Sequence, residues 1–236
     1  VIAFFGDPAR WLCKNALHLS RDALEIQAPN DSEPLGTGIH YFDSIRTDLV
    51  WSALQHGQKQ LPLDIPAHLR WSGRYASGEL GHRTWLQIRA QAQAFLDLAV
   101  SLPPFSGPAL AAPLAVDLHI ADIRLLGNIG RIYRAGNELW LVGMISSGMS
   151  FKPLTALFLE WAALRLSLPA QECRYALIHK NAKGEALLLD IKFSQDLEHL
   201  RTGLLSLVAR YRQAEKTAGT YYAKTSYAYA QAAHSK

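Results

Sequence analysis

The sequence predicts a mixed α/β fold, with a helical extension over residues 1–83 and a core over 84–236, together one compact unit. The core order is αβββαβ, a mixed sheet flanked by helices. Three observations carry this. Apolar residues recur at helical spacing up to about residue 100. From Leu114 they switch to alternation, the mark of half-buried strands. Short turns at Gly136-Asn137 and at 181–184 then join alternating runs into hairpins.

Asp7 is placed to cap a first helix, with Pro8 at its first position and residues 10–15 continuing it. Phe4 and Phe5 precede the cap and are expected to staple against Leu12 or the helix flank. A polar stretch at 29–34 separates this from a second helix at about 39–55, where Phe42, Ile45, Leu49 and Leu54 share a face. Residues 56–83 are rich in Gly and Pro and read as irregular. A third helix is expected from about Thr84, burying Trp85, Ile88, Ala92, Phe95 and Ala99, until Pro103-Pro104 stops it. Residues 101–113 read as a linker.

Leu114, Val116, Leu118 and Ile120 define the first strand. A second is expected over 123–133, with Gly127 and Gly130 marking a bend or bulge. A turn at 134–137 leads to a third over 138–145, in a hairpin with the second. A helix at about 153–166 carries Leu154, Leu157, Phe158 and Trp161. Strands at 173–179 and 186–193 flank the turn at 181–184. A last amphipathic helix at 196–213 presents Leu197, Leu200, Leu204, Leu207 and Tyr211, and the tail beyond it is aromatic without a clean period.

The chain of 236 residues is 49% hydrophobic and 19% charged, which excludes a disordered, collagenous or coiled-coil protein. No apolar run is long enough to span a membrane. Cys13 and Cys173 cannot build a disulfide framework and fit a reducing compartment, so a cytoplasmic location is expected. The chain opens Val-Ile-Ala-Phe-Phe without an initiator Met, which reads as a piece of a longer protein. Its net charge of +4 permits phosphate binding without requiring it, because the Lys and Arg residues are spread along the chain.

Catalytic motifs are absent. The nine histidines form no pair at i, i+4, and there is no HExxH, CxxC, GxSxG or phosphate-binding GxxxxGK[ST]. Lone carboxylates such as Asp117, Asp122 and Glu138 read as strand-surface charges. The informative stretch is Gly127-Asn128-Ile129-Gly130-Arg131-Ile132-Tyr133, followed by 140–145. It resembles the metal-dependent PD-(D/E)XK nucleases, restriction-endonuclease-like proteins that share the αβββαβ order. Their strands carry G-x-I-D-R-I-D and then D-Y-K, with the carboxylates holding Mg²⁺ and the lysine assisting the attacking water. Here the first catalytic Asp falls on Gly130, the second on Gly143, the lysine on Ile145 and a non-catalytic Asp on Tyr133. Gly127, Ile129, Arg131 and Ile132 remain. The resemblance thus implies a nuclease scaffold without catalytic residues or a metal.

Further segments resemble the C-terminal domain family of RecC, the gamma subunit of exodeoxyribonuclease V. Residues 4–12 (FFGDPARWL) look like its FF-x-x-P-x-R-x-F-L opening, and 30–35 (NDSEPL) its D-x-E-P-F. Residues 70–81 (RWSGRYASGELG) look like its G-x-L-P-x-G-x-x-G loop. Residues 204–212 resemble its L-x-x-L-x-x-x-Y-R helix, and 225–229 the aromatic segment after it, although Gly219-Thr220 replaces the family's Pro-Leu. The resemblance covers nearly the whole chain. It implies an inactive nuclease-like domain in a bacterial complex that unwinds and degrades DNA from double-strand ends for repair and recombination. Its partners would be DNA and RecB-like and RecD-like subunits, with Mg²⁺ and ATP used by those subunits and no cofactor here. Arg70, Arg74, Arg83 and Arg131 are the candidate DNA contacts, with Trp71 and Trp85 near the loop for stacking. Two other classes remain open on the residues alone: an active nuclease with displaced acids at Asp117, Asp122 or Glu138, and an interaction module without nucleic acid.

Overall fold

A computed structural model describes residues 4–5, 7–15, 17–18, 39–71, 78–106, 113–148, 151–181, 183–190, 195–216 and 232. The elements in chain order are α1 (Pro8–Asn15), α2 (Ile39–Gln55), α3 (Ala67–Arg70), α4 (Gly78–Val100), a 3₁₀ turn (Pro103–Phe105), β1 (Leu114–Ile120), β2 (Ile123–Ile129), β3 (Ile132–Ala135), β4 (Glu138–Gly148), α5 (Phe151–Ser167), β5 (Cys173–Lys180), β6 (Ala186–Asp190) and α6 (Leu197–Lys216).

Asp7 caps α1 as its sequence predicts, its carboxylate accepting from the Arg10 amide at 3.1 Å. The staple falls on the helix flank: the Phe4 ring meets Trp11 edge-on at 5.6 Å, and both rings meet Tyr211 of α6 in the same way. One end of the sequence is thereby tied to its last long helix.

β3, β4, β5 and β6 form a sheet in that order, while β1 and β2 pair as a separate antiparallel hairpin. Among the described strands only β4 and β5 run parallel, and α5 makes the crossover between them. Both faces of the central strands are buried, so they read as nearly continuous apolar runs. Leu139 and Leu141 of β4 join Tyr175 and Leu177 of β5 in a core closed by Trp161 and Leu164 of α5 and Leu200 and Leu204 of α6. Trp140, Val142 and Met144 point the other way. With Ala176 and Ile178 they meet Val50 and Leu54 of α2 and Phe95 and Leu96 of α4. Polar contacts fix α2 in place: Ser146 of β4 donates to the Asp43 carbonyl at 2.7 Å, and Arg46 donates to the Asp43 carboxylate within α2 and to the side-chain amide oxygen of Gln91 on α4.

Three expectations need correction. The third helix starts at Gly78 rather than near Thr84. Gly78 has φ +68°, a left-handed conformation that glycine adopts without steric penalty, so the helix can begin inside a stretch that reads as loop. The run 123–133 is two strands, so four strands precede α5 instead of three. Ile129 and Ile132 are both buried, yet residues three apart on one continuous strand face opposite sides. The chain must turn at exposed Gly130 and Arg131, and in turning it leaves one sheet for the other. The third predicted strand also runs on to Gly148, through an irregularity in its register with β5 after Ile145. The polar stretch at 29–34, the linker from 107 to 112, the end of the last strand at 191–193 and the aromatic tail lie outside the described residues.

Candidate functional site

The β2–β3 corner and the middle of β4 bring together the positions where a nuclease would carry its acids. At Gly130 a side chain would meet open space: nothing lies within 4 Å of a Cβ built there. Gly143 is the opposite. It shares the Leu141 face of β4, and a Cβ there would stand 3.1 Å from Leu177 Cδ1 and 3.2 Å from Leu157 Cδ2, and closer still to the Tyr175 hydroxyl. Ile145, one residue pair further along β4 on this face, packs against the same core. The volume that a second carboxylate would need is therefore filled by a phenol and two leucines. The donor set at the three positions is Gly, Gly and Ile, which offers a divalent cation no side-chain ligand. Among the described residues no group of three or more His, Cys, Asp or Glu could hold a metal ion.

Arg131, next to the vacant corner, is exposed and lies over the Trp51 ring at 5.0 Å. Trp51 in turn stacks on Tyr133 at 6.1 Å with an interplanar angle of 8°, and Phe105 meets Tyr133 edge-on at 4.7 Å. A guanidinium and three aromatic rings thus form a column where a nuclease carries its first acidic motif. Burial pushes the Tyr133 phenol up, and the Arg131 charge partly opposes this.

One carboxylate does stand near the filled position. Glu160 is the only acid in the otherwise mostly apolar α5. Burial pushes its carboxyl up, with Arg131 partly opposing. Burial, reinforced by the Glu160 charge, also pushes the Tyr175 phenol up. Sequence reasoning passes over Glu160. The available signal is its isolation, since an acid in a helix apolar nearly all round must face something other than bulk solvent.

The displaced acids are occupied elsewhere. Asp117 takes a two-pronged bond from Arg124 at 2.9 and 2.8 Å, which holds its carboxyl below the usual range. Asp122 pairs with Arg212 at 2.8 Å and is likewise lowered, and Glu138 pairs with Arg174 at 2.9 Å. Each is half of its own ion pair, and no two of them share a partner.

The basic candidates divide. Arg70 ends α3 and is exposed beside Trp71, which is 85% exposed. Arg83 is exposed on the second turn of α4 and pairs with Glu79 at 3.1 Å. Leu69 packs with Ile45, Trp85 and Ile88, which sets α3 against α2 and the start of α4. Ile45 and Trp51 are six residues, or about 9 Å, apart along α2, so Arg70 and Arg131 stand toward successive parts of one helix. Trp85 is 0% exposed, its indole donating to the Leu63 carbonyl at 2.8 Å, so it is core and offers no stacking face. Arg74 lies outside the described residues, as do 30–35 and 225–229 of the family-like segments.

The fold defines a class, an α+β domain built around a nuclease-like core. Within that class the chain belongs to the RecC C-terminal domain family, whose model matches residues 1–234. No curated protein matches the chain. The family ties it to the gamma subunit of exodeoxyribonuclease V, the RecBCD complex of DNA repair and recombination. Among the described residues no helix is long and apolar enough to cross a membrane.

Proposed function

We propose that this domain is a non-catalytic, nuclease-like scaffold of the gamma subunit, which lines the path of DNA strands and docks a partner helicase subunit. The carrying observation is the filled position at Gly143, where Tyr175, Leu177 and Leu157 take the volume of the second carboxylate. With that acid lost and glycine also at position 130, the corner offers no side-chain ligand to fix a magnesium ion for phosphodiester cleavage. Mg²⁺ and ATP are then the business of the partner subunits. Two free cysteines, Cys13 exposed and Cys173 buried, accord with work in the reducing cytoplasm.

The DNA-facing part of this reading rests on Arg70 with exposed Trp71, and on Arg83 and Arg131, along α2–α4. Arginines grip phosphates and an exposed indole stacks on a base, neither of which selects sequence. The test is binding to forked DNA over a salt series, with and without Mg²⁺. Binding that weakens steeply with salt and leaves the DNA intact is expected. Mg²⁺-dependent cleavage by this domain would overturn the non-catalytic reading.

A specific observation also favours docking without DNA. Leu187, Leu188 and Leu189 are exposed in succession on β6, the strand at one edge of the sheet. Consecutive strand residues face opposite sides, so both faces of this edge are apolar, a surface suited to another chain. Salt-insensitive absence of DNA binding, together with tight subunit association, would make docking the whole function.

A further inference from the structure

We infer that the groove between the β1–β2 hairpin and helices α5 and α6 is a docking site for a segment of another subunit that presents a lysine or arginine among apolar side chains. This rests on the functional reading above. The groove holds about 370 Å³. Leu125 and Leu126 of β2, Leu159 and Ala163 of α5 and Leu204 of α6 line it, and Glu160 is its sole charged side chain.

Two features select the occupant. Leu126 is 67% exposed at the groove and, next to half-buried Leu125, carries its apolar wall out to the surface. Glu160 lies half-buried among these apolar groups, and among the described residues no hydrogen bond or ion pair reaches it. Arg131 acts on it only through space, beyond ion-pair range. A carboxylate withdrawn from water without a partner destabilises the fold unless a cation completes it. Apolar walls around a single carboxylate are complementary to a cationic side chain flanked by apolar ones. A nucleic acid strand, with its repeated negative charge, is repelled by Glu160 and finds no basic group among the lining residues.

The experiment uses the full-length gamma subunit assembled with its helicase partners. With Leu126 replaced by the photo-crosslinker p-benzoylphenylalanine, the expected product joins it to a segment of another subunit that holds Lys or Arg between apolar residues. Glu160→Lys is expected to weaken assembly tenfold or more, Glu160→Gln and Leu126→Asp several-fold, with the melting temperature of the free subunit not lowered by Glu160→Gln. Crosslinks only within the same chain, or assembly of Glu160→Lys equal to wild type, would overturn the docking site while leaving the scaffold reading intact. A wild-type subunit that joins neither DNA nor partner subunits would instead overturn the scaffold reading itself.

Discussion

Adding one methyl group at Gly143 tests the filled position directly. The new Cβ of Gly143→Ala would press on the Tyr175 hydroxyl, with Leu177 Cδ1 at 3.1 Å and Leu157 Cδ2 at 3.2 Å. Tyr175 and Leu177 are fully buried, so neither can swing into solvent. Overpacking of this kind costs about 1–3 kcal/mol. The stiffer unfolded chain of the alanine variant returns roughly 0.5–1 kcal/mol. The net loss is at most about 2.5 kcal/mol, a melting temperature lower by up to roughly 10 °C in a domain of this size. Because the closest atom is the phenol oxygen, Tyr175→Phe removes the worst contact, and a double-mutant cycle should return a coupling of about 0.5–2 kcal/mol. Gly143→Asp adds a carboxylate among leucines and should lose about 3 kcal/mol or more. Gly130→Asp, in open space, should stay within about 0.5 kcal/mol of wild type. Chemical denaturation of wild type and the five variants is the assay. A cycle with no coupling, or a Gly143→Asp variant as stable as wild type, would refute the claim that Tyr175 has taken the carboxylate's place.

The same geometry has further measurable consequences. Glu160 has a folded-state carboxyl raised above its ordinary value of 4.5 by burial, so its ionisation opposes folding. The stability linked to its protonation is full below about 4.5 and is lost as pH rises through the raised value. Glu160→Gln should therefore melt higher than wild type near pH 8, with the gap closing at pH 4 in paired melting curves. Ala121, in the β1–β2 turn, has φ +53°, which strains a residue with a Cβ. Ala121→Gly should be neutral to stabilising and Ala121→Val destabilising, a spread of about 1–2 kcal/mol by urea titration. Combined Arg70→Gln and Arg131→Gln should weaken forked-DNA binding and reduce its log–log salt slope by about 2, roughly one per lost phosphate contact. An unchanged slope would remove both from the interface.

Much of this fold was legible because its elements obey a single period. The face of Ile45 and Leu54 in α2 and the alternation from Leu114 to Ile120 each name an element that forms. What was hidden depended on contacts between distant residues. The strand break at Gly130 follows from burying both Ile129 and Ile132 against different partners, which periodicity within one strand does not encode. The early start of α4 depends on a left-handed Gly78 that looks like one more loop glycine. Gly130, Gly143 and Ile145 stood out as departures from a motif, yet only the structure distinguishes a vacant corner from a filled cradle. Tyr175, which does the filling, arrives from another strand. Trp71 and Trp85 look alike in a Gly-rich stretch, and tertiary packing makes one of them surface and the other core.

The column of Arg131 on Trp51 on Tyr133 also equips the domain with its own optical probe. A cation resting on an indole face alters that ring's excited state, and a ring stacked beneath it holds the geometry fixed. If a phosphate draws the Arg131 guanidinium away, Trp51 loses its cover while Trp85, sealed in the core, keeps its surroundings. The change in Trp51 emission would then report strand arrival at the corner as it happens, without a dye.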